Sequence, residues 1–438
     1  WLGLESDGAI YWSPKSTLFT NIYNTRGGRE KKILSHNSVW AMHQQDENSL
    51  WVGTRNGLNL FNLKDGSTQS FMVSDDNKAQ YSSSSIFAIE AGKDNQLWLN
   101  TGSGLLIFDS VTAQTSPLKI NSIDDKAILN PEIWDILATP EGDLMMTSHE
   151  GLFRYSPDSG ITHKIEQFSG TDNSQLALGF IKSAKPNTTY ITGYGQLWKM
   201  DNSTSQATLI HELPVLQKKA EIYPSDVVID ANNILWIAYP GHGLVGLDAT
   251  TYEQKFFYNK ENLLPTNSIF DLEQDTTGNI WIGSNFGLIK FSAENHHIQT
   301  FDNEQGLVKG ELNADTSLTL LDGRIVFGSP KGLIVFDPLK IDTKRDTKIT
   351  VRISKLSVTS NDLVLPFNNL DGQSIELHHD DVGLSIHFST LEFHNQKSTK
   401  YQYRLSGKSN LVYPITTRPE VMFPKLDPGQ YEFSVLAF

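Results

Sequence analysis

Twelve histidines and several acidic pairs are the residues of this chain that most invite a chemical reading. A zinc hydrolase would carry His-Glu-x-x-His, which stacks two imidazoles one helical turn apart, and no such spacing occurs. His296-His297 and His378-His379 are adjacent pairs in strand-like text, where neighbours leave opposite faces of a sheet; they read as solvated surface residues. Asp75-Asp76 and Asp124-Asp125 lack the alternating pattern of a calcium loop. There is no Gly-x-Ser-x-Gly elbow and no phosphate-cradling glycine loop. With Cys at 0, disulfides, thiolate ligands and cysteine nucleophiles are excluded. The expectation is therefore no catalytic residue, no cofactor and no metal.

The polar and aromatic residues that remain recur at one position of a repeat, the turn between its second and third strands. They are Arg55, Asn56, His149, Glu150, Tyr194, Tyr239, His242, Asn285 and Lys331. Aromatic rings stack on apolar sugar faces while the others hydrogen-bond hydroxyls, so the set suits an oligosaccharide or another small polar ligand. Variable turns on a fixed scaffold are where binding residues concentrate. Nucleic acid is a poor partner: 36 Lys and Arg stand against 50 Asp and Glu, for a net charge of −14, and phosphate-backbone binding needs clustered cations.

The elements that must hold these turns come from a repeating phrase: an apolar strand, a polar turn with Asp or Gly, then Leu/Ile-Trp-Ile/Val-Gly, a short turn, Gly-Leu and a closing aromatic. Leu50-Trp51-Val52-Gly53 with Gly57-Leu58-Asn59-Leu60-Phe61, and Ile280-Trp281-Ile282-Gly283 with Gly287-Leu288-Ile289-Lys290-Phe291, are the clearest copies. Weaker ones centre on Trp1, Trp98, Met145, Tyr190, Trp236 and Val326, at intervals of about 45–50 residues. Four short strands at that period, without a 3.6-residue apolar stripe, predict a β-propeller. The strand-B Trp reads as packing between blades.

Seven complete A–B–C sets lie between Val39 and Asp337. The last lacks a strand D, and Phe19 to Tyr23 can supply it, so seven blades are expected, with eight as the alternative. Residues 1–13 read as the remnant of a preceding blade, 14–338 as the propeller and 339–348 as a polar linker. From residue 349 to 438 the text turns to alternating strands: Thr350 to Val358, Ser374 to Leu377, Gly383 to Phe388, Lys400 to Leu405 and Gln430 to Leu436. That spacing predicts a β-sandwich. The fold class is thus all-β, a propeller followed by an immunoglobulin-like sandwich.

Residues 275–291 resemble the two-component regulator propeller repeat closely; residues 46–61 and 94–108 resemble it well and residues 190–200 poorly. Tyr401-Gln402-Tyr403-Arg404-Leu405-Ser406-Gly407 and Leu426-Asp427-Pro428-Gly429-Gln430-Tyr431-Glu432-Phe433 resemble the hallmarks of the triple-tyrosine immunoglobulin-like domain that follows such propellers. The resemblance implies the periplasmic sensor region of a bacterial membrane receptor, a homodimer when full-length. It implies a transmembrane helix beyond this chain and a histidine kinase or diguanylate cyclase output. Trp-Leu-Gly-Leu at the start and Ser-Val-Leu-Ala-Phe at the end are expected to mark an excerpt. Two other readings accompany it: a lyase using His, Glu and Mg²⁺, in which His149 and Glu150 are the first suspects, and a purely structural interaction propeller.

Overall fold

The computed structural model describes residues 2–4, 8–10, 18–24, 33–71, 85–118, 133–148, 151–165, 168–169, 179–182, 187–214, 222–308, 310–341, 351–361, 363–366, 372, 374–390, 399–407 and 411–437. The chain divides into two compact units, Trp1–Ile341 and Asp342–Phe438.

The first unit is a ring of seven antiparallel blades. Strands A to D of blade 1 are Val39–Gln44, Ser49–Thr54, Gly57–Asn62 and Thr68–Phe71. Blade 2 is Ile86–Ala91, Gln96–Thr101, Gly104–Asp109 and Gln114–Pro117, and blade 3 is Ile133–Ala138, Leu144–Ser148, Gly151–Ser156 and Ile161–Ile165. Blade 4 comprises Gly179–Lys182, Thr188–Gly193, Gln196–Asp201 and Gln206–Glu212, with Phe168–Ser169 added in parallel at its outer edge. Blade 5 is Asp226–Ile229, Ile234–Tyr239, Gly243–Asp248 and Gln254–Tyr258; blade 6 is Ile269–Gln274, Asn279–Ser284, Gly287–Ser292 and His297–Phe301.

Blade 7 takes A to C from Ser317–Thr319, Ile325–Ser329 and Gly332–Phe336, and its strand D is Phe19–Ile22. That pairing uses the one strand an eighth blade would have claimed, so the ring has seven. Leu2–Leu4 and Gly8–Ile10 form a separate two-stranded sheet. The ring closes where Val39, Leu50 and Val52 of blade 1 pack with Val326, Leu333 and Val335 of blade 7.

Strand B is buried on both faces because each blade is covered by two neighbours. Trp51, Trp236 and Trp281 are wholly buried and meet a strand-C Phe of the next blade: Trp51 on Phe108, Trp236 on Phe291, Trp281 on Phe336, with ring centroids 5.5, 5.0 and 4.7 Å apart. Such pairs add about 0.5–1.5 kcal/mol beyond their burial. The residue six positions earlier fixes each indole: in blade 1 Gln45 Oε1 accepts the Trp51 Nε1–H at 2.7 Å, and in blades 5 and 6 an Asp does so. Asp230 and Asp275 each accept the Trp Nε1–H at 2.9 Å, while their other oxygen closes the A–B turn by accepting backbone N–H groups.

Leu339 and Lys340, in the 3₁₀ turn Pro338–Lys340, and Ile341 belong to the propeller unit; Ile341 is buried with Trp281 and Phe336. The remainder of the expected linker lies outside the described residues. The second unit has two sheets. One orders Leu363–Pro366, Arg352–Val358, Leu384–Ser389 and Glu420–Phe423, the other Leu411–Val412, Tyr401–Ser406 and Glu432–Ala437. Its core holds Leu356, Ile386, Phe388, Tyr401 and Phe423, and Tyr403 stacks on Tyr413 at 4.7 Å. Ser374 to Leu377 is not a strand; its place beside Leu384–Ser389 is taken by Glu420–Phe423. Among the described residues no helix is long and apolar enough to cross a membrane.

Candidate functional site

The B–C turns have a local chemistry of their own. In blades 1, 6 and 7 a hydroxyl ends strand B and donates across the turn: Thr54 to Gly57 O, Ser284 to Gly287 O and Ser329 to Gly332 O, at 2.8–2.9 Å. The same oxygens accept the N–H of Asn56, Phe286 and Lys331. The glycine then takes a left-handed φ, +112° at Gly287. Turn N–H groups also reach the carbonyl just before strand A of their own blade: Arg55 to Ser38, Gly102 to Ser85 and Asn285 to Ser268. B–C turns and the starts of strand A therefore share one face around the channel.

On that face Arg55, Asn56, Asn285 and Lys331 are exposed. The Asn285 carbonyl oxygen accepts the Thr266 hydroxyl at 2.9 Å. Tyr194 is half-buried. His242 stacks on Phe257, centroids 4.7 Å apart. Tyr239 does not reach the surface: it is wholly buried and its hydroxyl lies 2.6 Å from His211 Nδ1. Both faces of strand B are covered, so position at its end gives no exposure. His149 and Glu150 lie outside the described residues. His296, read as solvated, instead packs on Phe256 and sits 2.9 Å from the Tyr258 hydroxyl.

The channel holds a cavity of about 700 Å³ lined by strand A of all seven blades, with none of the B–C turn residues in its lining. A bulge near the start of strand A, in blades 1, 2, 3 and 6, turns its aromatic residue away from the blade interior. Phe87 and Trp134 are 40% and 37% exposed, and Trp40 stacks on Phe87 at 5.0 Å. These rings escaped the turn-based reading. The available signal was the recurring apolar–aromatic pair Val39-Trp40, Ile86-Phe87, Ile133-Trp134 and Ile269-Phe270.

Below the aromatics the channel is acidic. Asp135 accepts the Phe180 N–H of blade 4, Asp226 the Leu272 N–H of blade 6 and Asp271 the Asp315 N–H of blade 7, at 2.7–2.8 Å. One carboxylate thus ties each of these blades to another strand A. Glu273 accepts the hydroxyls of Ser317 and Thr319. Burial, then the neighbouring carboxylates, push Asp226 and Asp271 well above the ordinary range. Burial followed by Asp135 pushes Asp315 up to about 7. Among the described residues no three His, Asp or Glu groups are placed to hold a metal ion.

Residues 263–286, which cover strands A and B of blade 6, match a family model. The family is the two component regulator propeller. The extracellular domain of BT3049, assigned as a hybrid two component system of B. thetaiotaomicron, is similar in fold to 96% of this chain, with a TM-score of 0.73 at 21% identity. That of BT4673 from the same organism covers 92% with a TM-score of 0.51 at 16% identity. Histidine kinase P4 of Formosa agariphila is 25% identical over 182 residues, 40% of this chain. The chain spans 55% of the BT3049 structure and 13% of histidine kinase P4. The BT3049 domain is thus similar to this chain in fold along nearly its whole length.

Proposed function

We propose that this chain is the periplasmic ligand-sensing region of a bacterial transmembrane receptor with a histidine kinase or diguanylate cyclase output. Its ligand, an oligosaccharide or another small polar molecule, is taken at the channel mouth, and the full-length receptor acts as a homodimer. The observation that carries the reading is a cavity of about 700 Å³ in the channel with Phe87 in its lining, and the half-exposed rings of Phe87 and Trp134 at the same strand-A position of blades 2 and 3. That volume is within the range of small-molecule sites, and ring faces backed by hydrogen-bonding turns suit sugars. Likeness over 96% of the chain to an extracellular domain supports the extracytoplasmic placement.

Thermal shift against an oligosaccharide panel tests it. A ligand at 100 times its Kd should stabilise by roughly 2.7 kcal/mol. Trp134→Ala and Phe87→Ala should each weaken the hit about tenfold, or about 1.4 kcal/mol, while Val111→Ala, in an exposed C–D turn of blade 2, leaves it unchanged. A panel without a hit, or hits indifferent to both aromatic variants, defeats the reading.

A further inference from the structure

Six carboxyl groups line the cavity, and among the described residues lining it there is no Lys, Arg or His. Most of the acids have internal work. Asp135 and Asp226 accept backbone N–H groups with both oxygens, and Glu273 takes two hydroxyls. Asp271 differs. It is 1% exposed; Oδ1 accepts the Asp315 N–H, and Oδ2 has no hydrogen-bond partner. Buried carboxylate oxygens are almost always bonded, so the Oδ2 of Asp271, a residue that lines a ligand-sized cavity, is a buried acceptor that lacks its donor.

The chemistry of that donor is constrained. A bare divalent ion needs several converging oxygens, and no such group of side chains exists among the described residues. A neutral hydroxyl would leave the acidic surroundings uncompensated. A primary ammonium brings one positive charge and three N–H donors on a small centre, and the face of Phe87, which also lines the cavity, attracts a cation.

We propose that the channel binds ligands bearing a primary ammonium group, which donates to Asp271 Oδ2 while Asp226 and Asp315 supply the surrounding negative field. The proposal rests on the channel mouth being the sensing site, and it narrows the ligand to an amino sugar or a polyamine. The raised proton affinities of Asp271 and Asp315 fit carboxyl groups that hold protons until a cation replaces them.

Calorimetry on the intact chain at about pH 7, where the amines keep positive charge, tests it with three probes: the glucosamine trimer, its N-acetylated counterpart and spermidine. The amine trimer or spermidine should bind at least about tenfold tighter than the neutral trimer. Asp271→Asn should abolish that preference while melting no lower than the parent, and Asp315→Asn should reduce it. Which amine wins separates the sugar source from the polyamine source. Equal binding of both trimers, untouched by Asp271→Asn, overturns the ammonium seat and leaves the sugar-sensing reading standing. Absence of binding by both amines overturns it too. Failure of the sensing reading itself shows differently, as an empty oligosaccharide panel and aromatic variants without effect.

Discussion

His211 and Asp315 carry protons differently in the folded and unfolded chain, and they tilt stability in opposite directions. Burial, then the charge of His242, pushes the His211 imidazole down to about 4, against an ordinary value of 6.5. Its contribution is complete above about pH 6.5 and is lost as pH falls toward 4, a swing on the order of 3 kcal/mol. Asp315 is the inverse case. Its carboxyl is pushed up to about 7, so its contribution is present below the unfolded value and lost as pH rises through 7. Urea midpoints across a pH series should therefore show His211→Gln flatter than the parent between 6.5 and 4. Asp315→Asn should gain on the parent steadily from 4 to 7. Parallel curves for parent and variants would contradict both assignments. Neither group was legible from sequence, because nothing in a string of residues reports that His211 lies under Tyr239 or that Asp315 faces Asp135 across a channel.

At the scale of the element, two glycines of blade 6 look alike in sequence and differ in surroundings. Gly287 has φ +112°, and a Cβ there would stand 2.4 Å from the Phe301 carbonyl oxygen. Gly278, in the A–B turn, has φ +84° with open space around it. Gly278→Ala should cost only the left-handed penalty of about 1–2 kcal/mol. Gly287→Ala should cost more, since backbone must also move; denaturant midpoints that rank them the other way would refute this. The strands themselves were readable, because Leu/Ile-Trp-Ile/Val-Gly marks strand B in blades 1 and 6 and weaker copies mark the others at the same period, while in blades 5 and 6 the Asp six residues before the Trp fixes both its turn and its indole. The strand-A aromatics were not. Alternation is the signal that assigns a strand residue to a face, and the bulges beside Trp40, Phe87 and Trp134 break it near the start of strand A. Tyr239 was misleading for a related reason, since a strand covered on both sides buries every position.

At the scale of the molecule, closure depends on Phe19–Ile22. Phe19 packs edge-on against Phe301 and Phe336 at 5.5 and 5.3 Å. Asn21 donates to Gly306 O and accepts the Val308 N–H, which pins the closing strand to the approach to blade 7. Phe19→Ala removes a large ring from a packed core and should cost about 3–5 kcal/mol, read as a lowered denaturation midpoint of the propeller. A loss below about 1 kcal/mol, the range of ordinary surface changes, would mean that the ring does not rely on this strand.

The same strand sets an order of events during synthesis. Asn21 finds its partner 285 residues further along the chain. At roughly 5–20 residues per second, the ribosome delivers that partner tens of seconds after Phe19–Ile22 has been made. Throughout that interval the early strand lacks its native strand partner and can meet only the blade 1 residues that pack on Ile22, while blades 1 to 6 can form behind it from contacts local to each. A long-range pairing of this kind is slow to find, and an unpaired strand edge is a place where wrong chains attach. The newborn protein is most vulnerable at Phe19–Ile22, until the last blade arrives to claim it.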